Sequence, residues 1–160
     1  MSEPNSLDPR GEIFLDKEGR WFHEGVEITH ARTLELFSRS ICADAGGGYR
    51  LQIGREWARI QVEDTPLVVR EATFQGERVE LGLNDRSREF LDPASLRVGR
   101  ENVLYCRVKG GLFPARFLRP AYYQLASRLE QDEDGYYLQV DGGKHYLRGQ
   151  EAEPAARSGS

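Results

Sequence analysis

The residues most able to do chemistry sit together in the second half of the chain. From Asn102 to Leu129 there is no acidic residue, yet Arg107, Lys109, Arg116, Arg119 and Arg128 all fall there, in a protein with 26 acids. The Gly110-Gly111 pair predicts a tight hairpin turn, which pairs Lys109 with Leu112, Arg107 with Pro114 and Tyr105 with Arg116. Strand alternation then places Leu104, Cys106, Val108, Phe113, Ala115 and Phe117 on an apolar, core-facing side. It leaves Tyr105, Arg107, Lys109 and Arg116 sharing the other. Guanidinium and ammonium groups beside a ring are suited to a flat anionic ligand, the cations taking phosphate and the ring a base. Arg119, just ahead of a helix opened by Pro120, adds to this, because helix N-termini attract negative charge. The plainer reading is a solvated strand face whose cations pair with acids such as Glu63, Asp64 or Glu71.

Two further groups invite a role. Glu63 and Asp64 stand together before Thr65-Pro66, where adjacent carboxylates can orient a bound group or serve as a general base; residues of this kind also cap strand-to-turn junctions. His23 follows Trp21 and Phe22, and alternation puts it with Ile13, Leu15 and Trp21 at a core edge. Trp21 is a second candidate for stacking. A hydrolase built on Glu63, Asp64 and His23 is the least supported reading. There is no Gly-x-Ser-x-Gly elbow, no phosphate loop ending in Gly-Lys-Ser/Thr, and no Cys or His pair with metal spacing. Gly46-Gly47-Gly48 reads as a loop. No catalytic residue, metal or cofactor is therefore expected.

The elements that must position these residues are short strands and two helices. A hairpin of Ile13–Asp16 and Arg20–His23 turns at Lys17-Glu18-Gly19. Thr29 is the expected N-cap of a helix running to about Ile41, with Leu34, Phe37 and Ile41 on one face. Strands follow at Tyr49–Ile53 and Trp57–Val62, then a hairpin at Leu67–Phe74 and Val79–Leu83, then a connecting segment over residues 84–100. Val103–Lys109 and Leu112–Leu118 form the basic hairpin. A helix runs from Pro120 to about Glu130, and Tyr136–Val140 and Lys144–Leu147 close the chain.

The halves align beyond element order. Leu36-Phe37-Ser38-Arg39 lies over Leu125-Ala126-Ser127-Arg128, and Tyr49-Arg50-Leu51-Gln52-Ile53 over Tyr136-Tyr137-Leu138-Gln139-Val140, the first copy carrying two extra residues in its glycine-rich loop. The expected class is α+β, with two degenerate hairpin–helix–hairpin repeats around a central strand segment. The expected layout is a disordered N-terminus at 1–10, an N-terminal lobe at 11–64, central strands and connection at 65–101, a C-terminal lobe at 102–149 and a disordered tail at 150–160.

Composition bounds the function class. With 160 residues, 39% of them hydrophobic, there is enough apolar material to bury a core, and 30% charged residues imply a well-solvated surface. A net charge of -4 argues against nucleic acid or an anionic membrane as partner. Two cysteines cannot build a disulfide scaffold, and the N-terminus lacks the basic and apolar regions of a signal peptide, so residence in the cytoplasm is expected.

Three stretches, Gly19-Arg20-Trp21-Phe22-His23-Glu24-Gly25, Val62-Glu63-Asp64-Thr65-Pro66 and Arg107-Val108-Lys109-Gly110-Gly111-Leu112, with the paired Tyr122-Tyr123 after them, resemble the bacterial family of domain of unknown function 1285. The similarity runs in order across residues 11–148. The resemblance implies a duplicated fold whose C-terminal lobe is loosely similar to pleckstrin-homology-like domains. It also implies a site between the lobes suited to a nucleotide-like molecule, and a role in signalling. Leu67 stands where relatives often have Phe, and Arg119 where they have a polar or small residue. No catalytic residue is established for the family, so none is carried over. Two readings follow: a non-catalytic regulatory module for a small anionic ligand, contacted by Arg107, Lys109, Arg116, Arg119, Tyr105, Trp21, Glu63 and Asp64, or an adaptor that binds a protein partner and no small molecule.

Overall fold

The computed structural model describes residues 12–147; the ends expected to be disordered, 1–10 and 150–160, lie outside the described residues. Among the described residues the fold is mixed α+β, with two helices, two six-stranded sheets and a three-stranded sheet in a duplicated arrangement. The chain divides into two compact units. Of the described residues, the first holds 12–68 and Asn84–Arg86, and the second holds Val69–Leu83 and 87–147.

In the first unit, β1 (Ile13–Leu15), β2 (Trp21–His23) and β3 (Val26–Glu27) form an antiparallel set. The β1–β2 turn is organised by Asp16, whose carboxylate accepts the N–H groups of Glu18 at 2.9 Å and Arg20 at 2.8 Å and the Arg20 Nε–H at 2.9 Å. That aspartate is buried, and these donors satisfy it. Gly19 is required here: its φ is +84°, and an added Cβ would lie 2.9 Å from Val68 Cγ2.

Helix α1 spans Ala31–Arg39. Its N-cap is His30, one residue later than expected, with Nδ1 accepting from Thr33 N–H at 3.4 Å. It stops before Ile41, because Ser40 donates its N–H to Phe37 O and its hydroxyl to Leu36 O. Ile41 is instead the first residue of β4 (Ile41–Ala43) and pairs with Leu51. β4, β5 (Tyr49–Ile53) and β6 (Glu56–Val62) make an antiparallel meander. β6 then pairs in parallel with β1, giving the order β3-β2-β1-β6-β5-β4. Period-two alternation sends Ile13, Leu15, Trp21, Leu51, Ala58 and Ile60 into the core.

β7 (Leu67–Gln75), which enters the second unit at Val69, and β8 (Arg78–Leu83) form the expected hairpin, with a register irregularity between Val69 and Glu71. The segment read as connecting contributes two more strands, β9 (Arg88–Phe90) and β10 (Arg97–Val98), with a 3-10 turn at Pro93–Ser95 between them. β11 (Leu104–Val108) and β12 (Phe113–Phe117) complete a sheet ordered β10-β11-β12-β7-β8-β9. The central strands thus share one sheet with the basic hairpin.

Helix α2 covers Arg119–Ala126, with Pro120 in its first turn and Ala121 and Leu125 buried. It is shorter than the span to Glu130 expected from spacing. β13 (Leu129–Asp132), β14 (Gly135–Val140) and β15 (Gly143–Tyr146) follow as a separate antiparallel sheet. Among the described residues, no helix is long and apolar enough to cross a membrane, and no group of three or more His, Cys, Asp or Glu is placed to hold a metal ion.

Candidate functional site

The β11–β12 hairpin has the register expected from its glycines: Tyr105 lies opposite Arg116, Cys106 opposite Ala115, Arg107 opposite Pro114 and Val108 opposite Phe113. All six residues assigned to the apolar face are buried. The turn itself is longer than two residues. Lys109, Gly110 and Gly111 all have positive φ, at +57°, +67° and +88°. Lys109 therefore leaves the strand before its side chain can join the outer face, which corrects the expected grouping. Its N–H donates to both carboxylate oxygens of Glu89, at 3.2 and 3.0 Å, and its Nζ donates to Ser87 Oγ at 2.8 Å. A left-handed lysine is costly, and these bonds are what hold it there.

Arg107 stays on the outer face and is exposed. Its guanidinium turns toward its own turn, with Nε donating to Gly111 O at 2.9 Å and Nη2 to Leu112 O at 3.3 Å. Its backbone N–H donates to Ser95 Oγ at 3.0 Å. Tyr105 is half-buried. Arg97 of β10 lies directly opposite, with its guanidinium carbon 5.0 Å from the ring centroid. Gly99 lies against the same ring, since a Cβ there would come within 2.7 Å of Tyr105 Cε2. Arg116 is half-buried and Arg119, the first residue of α2, is exposed. Arg97 and Arg116 thus flank Tyr105 on neighbouring strands, while Arg107, on the same face of β11, has its guanidinium drawn to the turn. Arg97 escaped the sequence reading because two-residue β10 is too short to show a period.

The remaining candidates belong to the first unit. Trp21 is 1% exposed; its indole N–H donates to Ser38 Oγ at 3.3 Å and its ring meets Phe37 edge-on at 5.4 Å. It is a core residue, and that packing leaves it no face for stacking on a ligand. Glu63 is exposed, and its carboxylate accepts Lys17 N–H at 2.9 Å while its own N–H donates to Leu15 O at 2.8 Å. This is the strand-to-turn capping role weighed above. Asp64 is half-buried beside it, and Thr65 donates its hydroxyl to Leu67 O at 2.6 Å. His23 is exposed rather than at a core edge, because β2 ends there and the chain turns through Glu24 and Gly25 at φ +52° and +82°.

No family model matches the chain, and no curated protein matches it. Two solved structures do. A DUF1285 family protein from Silicibacter pomeroyi DSS-3 superposes with a TM-score of 0.70 at 20% identity, over 88% of this chain and 81% of that one. A DUF1285 family protein from Shewanella baltica OS155 superposes with a TM-score of 0.61 at 19% identity, over 75% of this chain and 94% of that one. The motif resemblance and the backbone superposition therefore agree, and the chain has the fold of the DUF1285 family proteins.

Proposed function

We propose that the protein is a non-catalytic regulatory module of the cytoplasm that binds a small anionic, nucleotide-like ligand on the outer face of β10–β11–β12. The observation that carries this reading is the placing of Arg97 and Arg116 on either side of Tyr105 on neighbouring strands, with Arg119 opening α2 nearby in sequence. Guanidinium groups offer paired donors to phosphate or carboxylate oxygens, and a ring between two of them offers a face to a base. The free thiols Cys42 and Cys106 suit a reducing compartment. Lys109 serves the turn rather than the ligand, and Trp21, Glu63 and Asp64 have no part in this version of the site.

The test is a thermal-shift screen of the purified chain against nucleotides, dinucleotides and sugar phosphates. A ligand at about a hundred times its dissociation constant adds roughly 2.7 kcal/mol, a rise of about 5–10 °C for a chain of this size. The rise should vanish in the Arg116→Glu/Arg119→Glu variant. A ligand bound equally well by that variant would refute the site.

The adaptor is the second reading, supported by Leu112, Tyr123 and Tyr136 of the second unit, which are 64%, 61% and 55% exposed. It predicts a stoichiometric complex at near-native abundance that is lost in Leu112→Ser/Tyr123→Ser. A complex indifferent to both changes would remove these residues from the interface.

A further inference from the structure

The outer face of β1 and β2 carries a second arrangement that the anion site does not use. Phe14, Phe22, Gly25 and Gln61, with Glu12 at the lip, line a cavity of about 300 Å³. The two phenylalanine rings lie 6.1 Å apart at 46° and are only half-buried. They point away from the core that takes Ile13, Leu15 and Trp21. Gly25 keeps one wall low, with no heavy atom within 4 Å of where a Cβ would stand.

The rim is acidic. Glu24 donates its N–H to Glu12 O at 2.8 Å, and Glu27 lies opposite Phe22, so Glu12, Glu24 and Glu27 are brought beside the aromatic pair, all exposed. Of the nearby arginines, Arg59 is bonded to Asp44 at 2.9 Å and Arg20 to Asp16 at 2.9 Å, Arg20 also lying within electrostatic reach of Glu27. Beyond the cavity, β3 is the terminal strand of its sheet among the described residues, and its Val26 is 69% exposed. A terminal strand offers unpaired backbone groups to an extended chain.

We propose that this face docks an extended segment of a partner protein in which one apolar side chain is flanked by lysine or arginine. The apolar side chain sits in the cavity against the paired rings of Phe14 and Phe22, and its cationic neighbours meet Glu12, Glu24 and Glu27. The acidic rim selects against anionic ligands, so this site is chemically the opposite of the basic face on β10–β11–β12. It deepens the adaptor reading, and it stands or falls independently of anion binding and of the exposed residues of the second unit.

The test uses the full chain, isotopically labelled for amide NMR, and a defined set of nine-residue peptides. Each has Leu, Ile, Val, Met, Phe, Tyr or Trp at its centre and lysine or arginine on both sides. The expected result is that at least one peptide shifts the amides of Phe14, Phe22, Gly25 and Gln61 with an affinity tighter than about 1 mM. The same peptide should lose at least tenfold when its central residue is alanine, when its cations are replaced by glutamate, and against the Glu12→Lys/Glu27→Lys variant. Gln61→Trp, which fills the cavity from an exposed strand position, should block binding while its unchanged melting temperature shows the fold intact. Overturning results are no binding by any member, shifts that map elsewhere, or equal binding of the acidic peptides. Concentration-dependent self-association that covers the same amides without peptide would also overturn it, by making a second copy the occupant.

Discussion

The two copies of the helix-and-meander repeat keep one register and fill it with inverted chemistry. Ile41 pairs with Leu51 in the first copy and Leu129 with Leu138 in the second, and both Leu51 and Leu138 are wholly buried. One residue along, Arg50 faces Arg59 in the first copy where Tyr137 faces Tyr146 in the second. In the first copy the cation is on the middle strand, with Arg50 5.7 Å from the Trp57 ring on the next strand. In the second the ring is on the middle strand, with Lys144 4.6 Å from Tyr137. Each copy ties the cluster to one aspartate: Asp44 takes Arg59 at 2.9 Å, and Asp132 takes Tyr146 at 2.6 Å and Lys144 at 3.0 Å. A cation, a ring and a carboxylate are retained while the strands that carry them exchange. Strand pairing constrains the sum across a ladder more tightly than the residue at each rung.

Sheet membership also differs. β6 offers an edge that β1 takes in parallel, so the first meander becomes half of a six-stranded sheet. The hairpin that opens the second copy, β11–β12, instead joins β7, and β13–β14–β15 remain three strands. The largest test of this difference is truncation of the two equivalent leucines. Leu→Ala at a buried site costs about 2–5 kcal/mol. Leu51→Ala, in the six-stranded sheet, should fall at the upper end, and Leu138→Ala, in the three-stranded one, at the lower end, by urea denaturation followed at several probes. Equal losses would mean that sheet size has no bearing on the cavity left behind.

A smaller effect separates the two thiols. Cys106, on β11, is buried, and burial first, with Glu89 and Asp92 adding, pushes its thiol up to about 12. Cys42, on β4 of the first meander, is half-buried, its thiol 3.8 Å from Ser40 O. Ellman's reagent should therefore titrate one thiol in the native protein and both in denaturant. Rapid native reaction of both would show that the hairpin core opens far more readily than its burial implies.

Much of this was legible in the residues, and the failures have common causes. The β11–β12 register and its apolar face follow from a glycine pair flanked by strict alternation, a local signal that tertiary packing reinforced. Both helices were read too long for one reason. Phe37 and Ile41, and Leu125 and Leu129, stand four apart and continue a helical stripe, although Ile41 and Leu129 each begin a strand. The strands β4, β9 and β10 have two or three residues, too few for a period of two to be seen. The cations of the hairpin itself are legible, whereas Arg97 on β10 and the uses of Lys109 and Arg107 are not. That Lys109 adopts φ +57° against Glu89, and that Arg107 closes on its own turn, depend on side-chain reach across residues distant in sequence. The burial of Trp21 with Ile13 and Leu15 follows from the same alternation, and what the residues do not show is that its N–H pairs with Ser38, 17 residues away.

The finest test of the inverted clusters is a carboxyl titration. In the second copy the Tyr146 hydroxyl first, then Lys144, holds the Asp132 carboxyl down at about 2. In the first, the hydrogen bond from Arg59 leads in holding Asp44 below the usual carboxylate range. A depressed folded-state value means that the stabilisation is complete above the unfolded carboxyl value, roughly 3.9, and is lost as pH falls through the folded one. Carbon-detected NMR of the side-chain carboxyls should find Asp132 ionised until about pH 2. Tyr146→Phe should raise Asp132 toward the ordinary range and leave Asp44 unmoved, while Arg59→Gln should do the reverse. Both clusters face water, so added salt should weaken the Arg59 effect more than the Tyr146 effect, which rests on a hydroxyl rather than a charge. If each substitution shifted both aspartates, the copies would be electrostatically one cluster, and their exchanged cations and rings would have to be explained together rather than as separate solutions to one ladder.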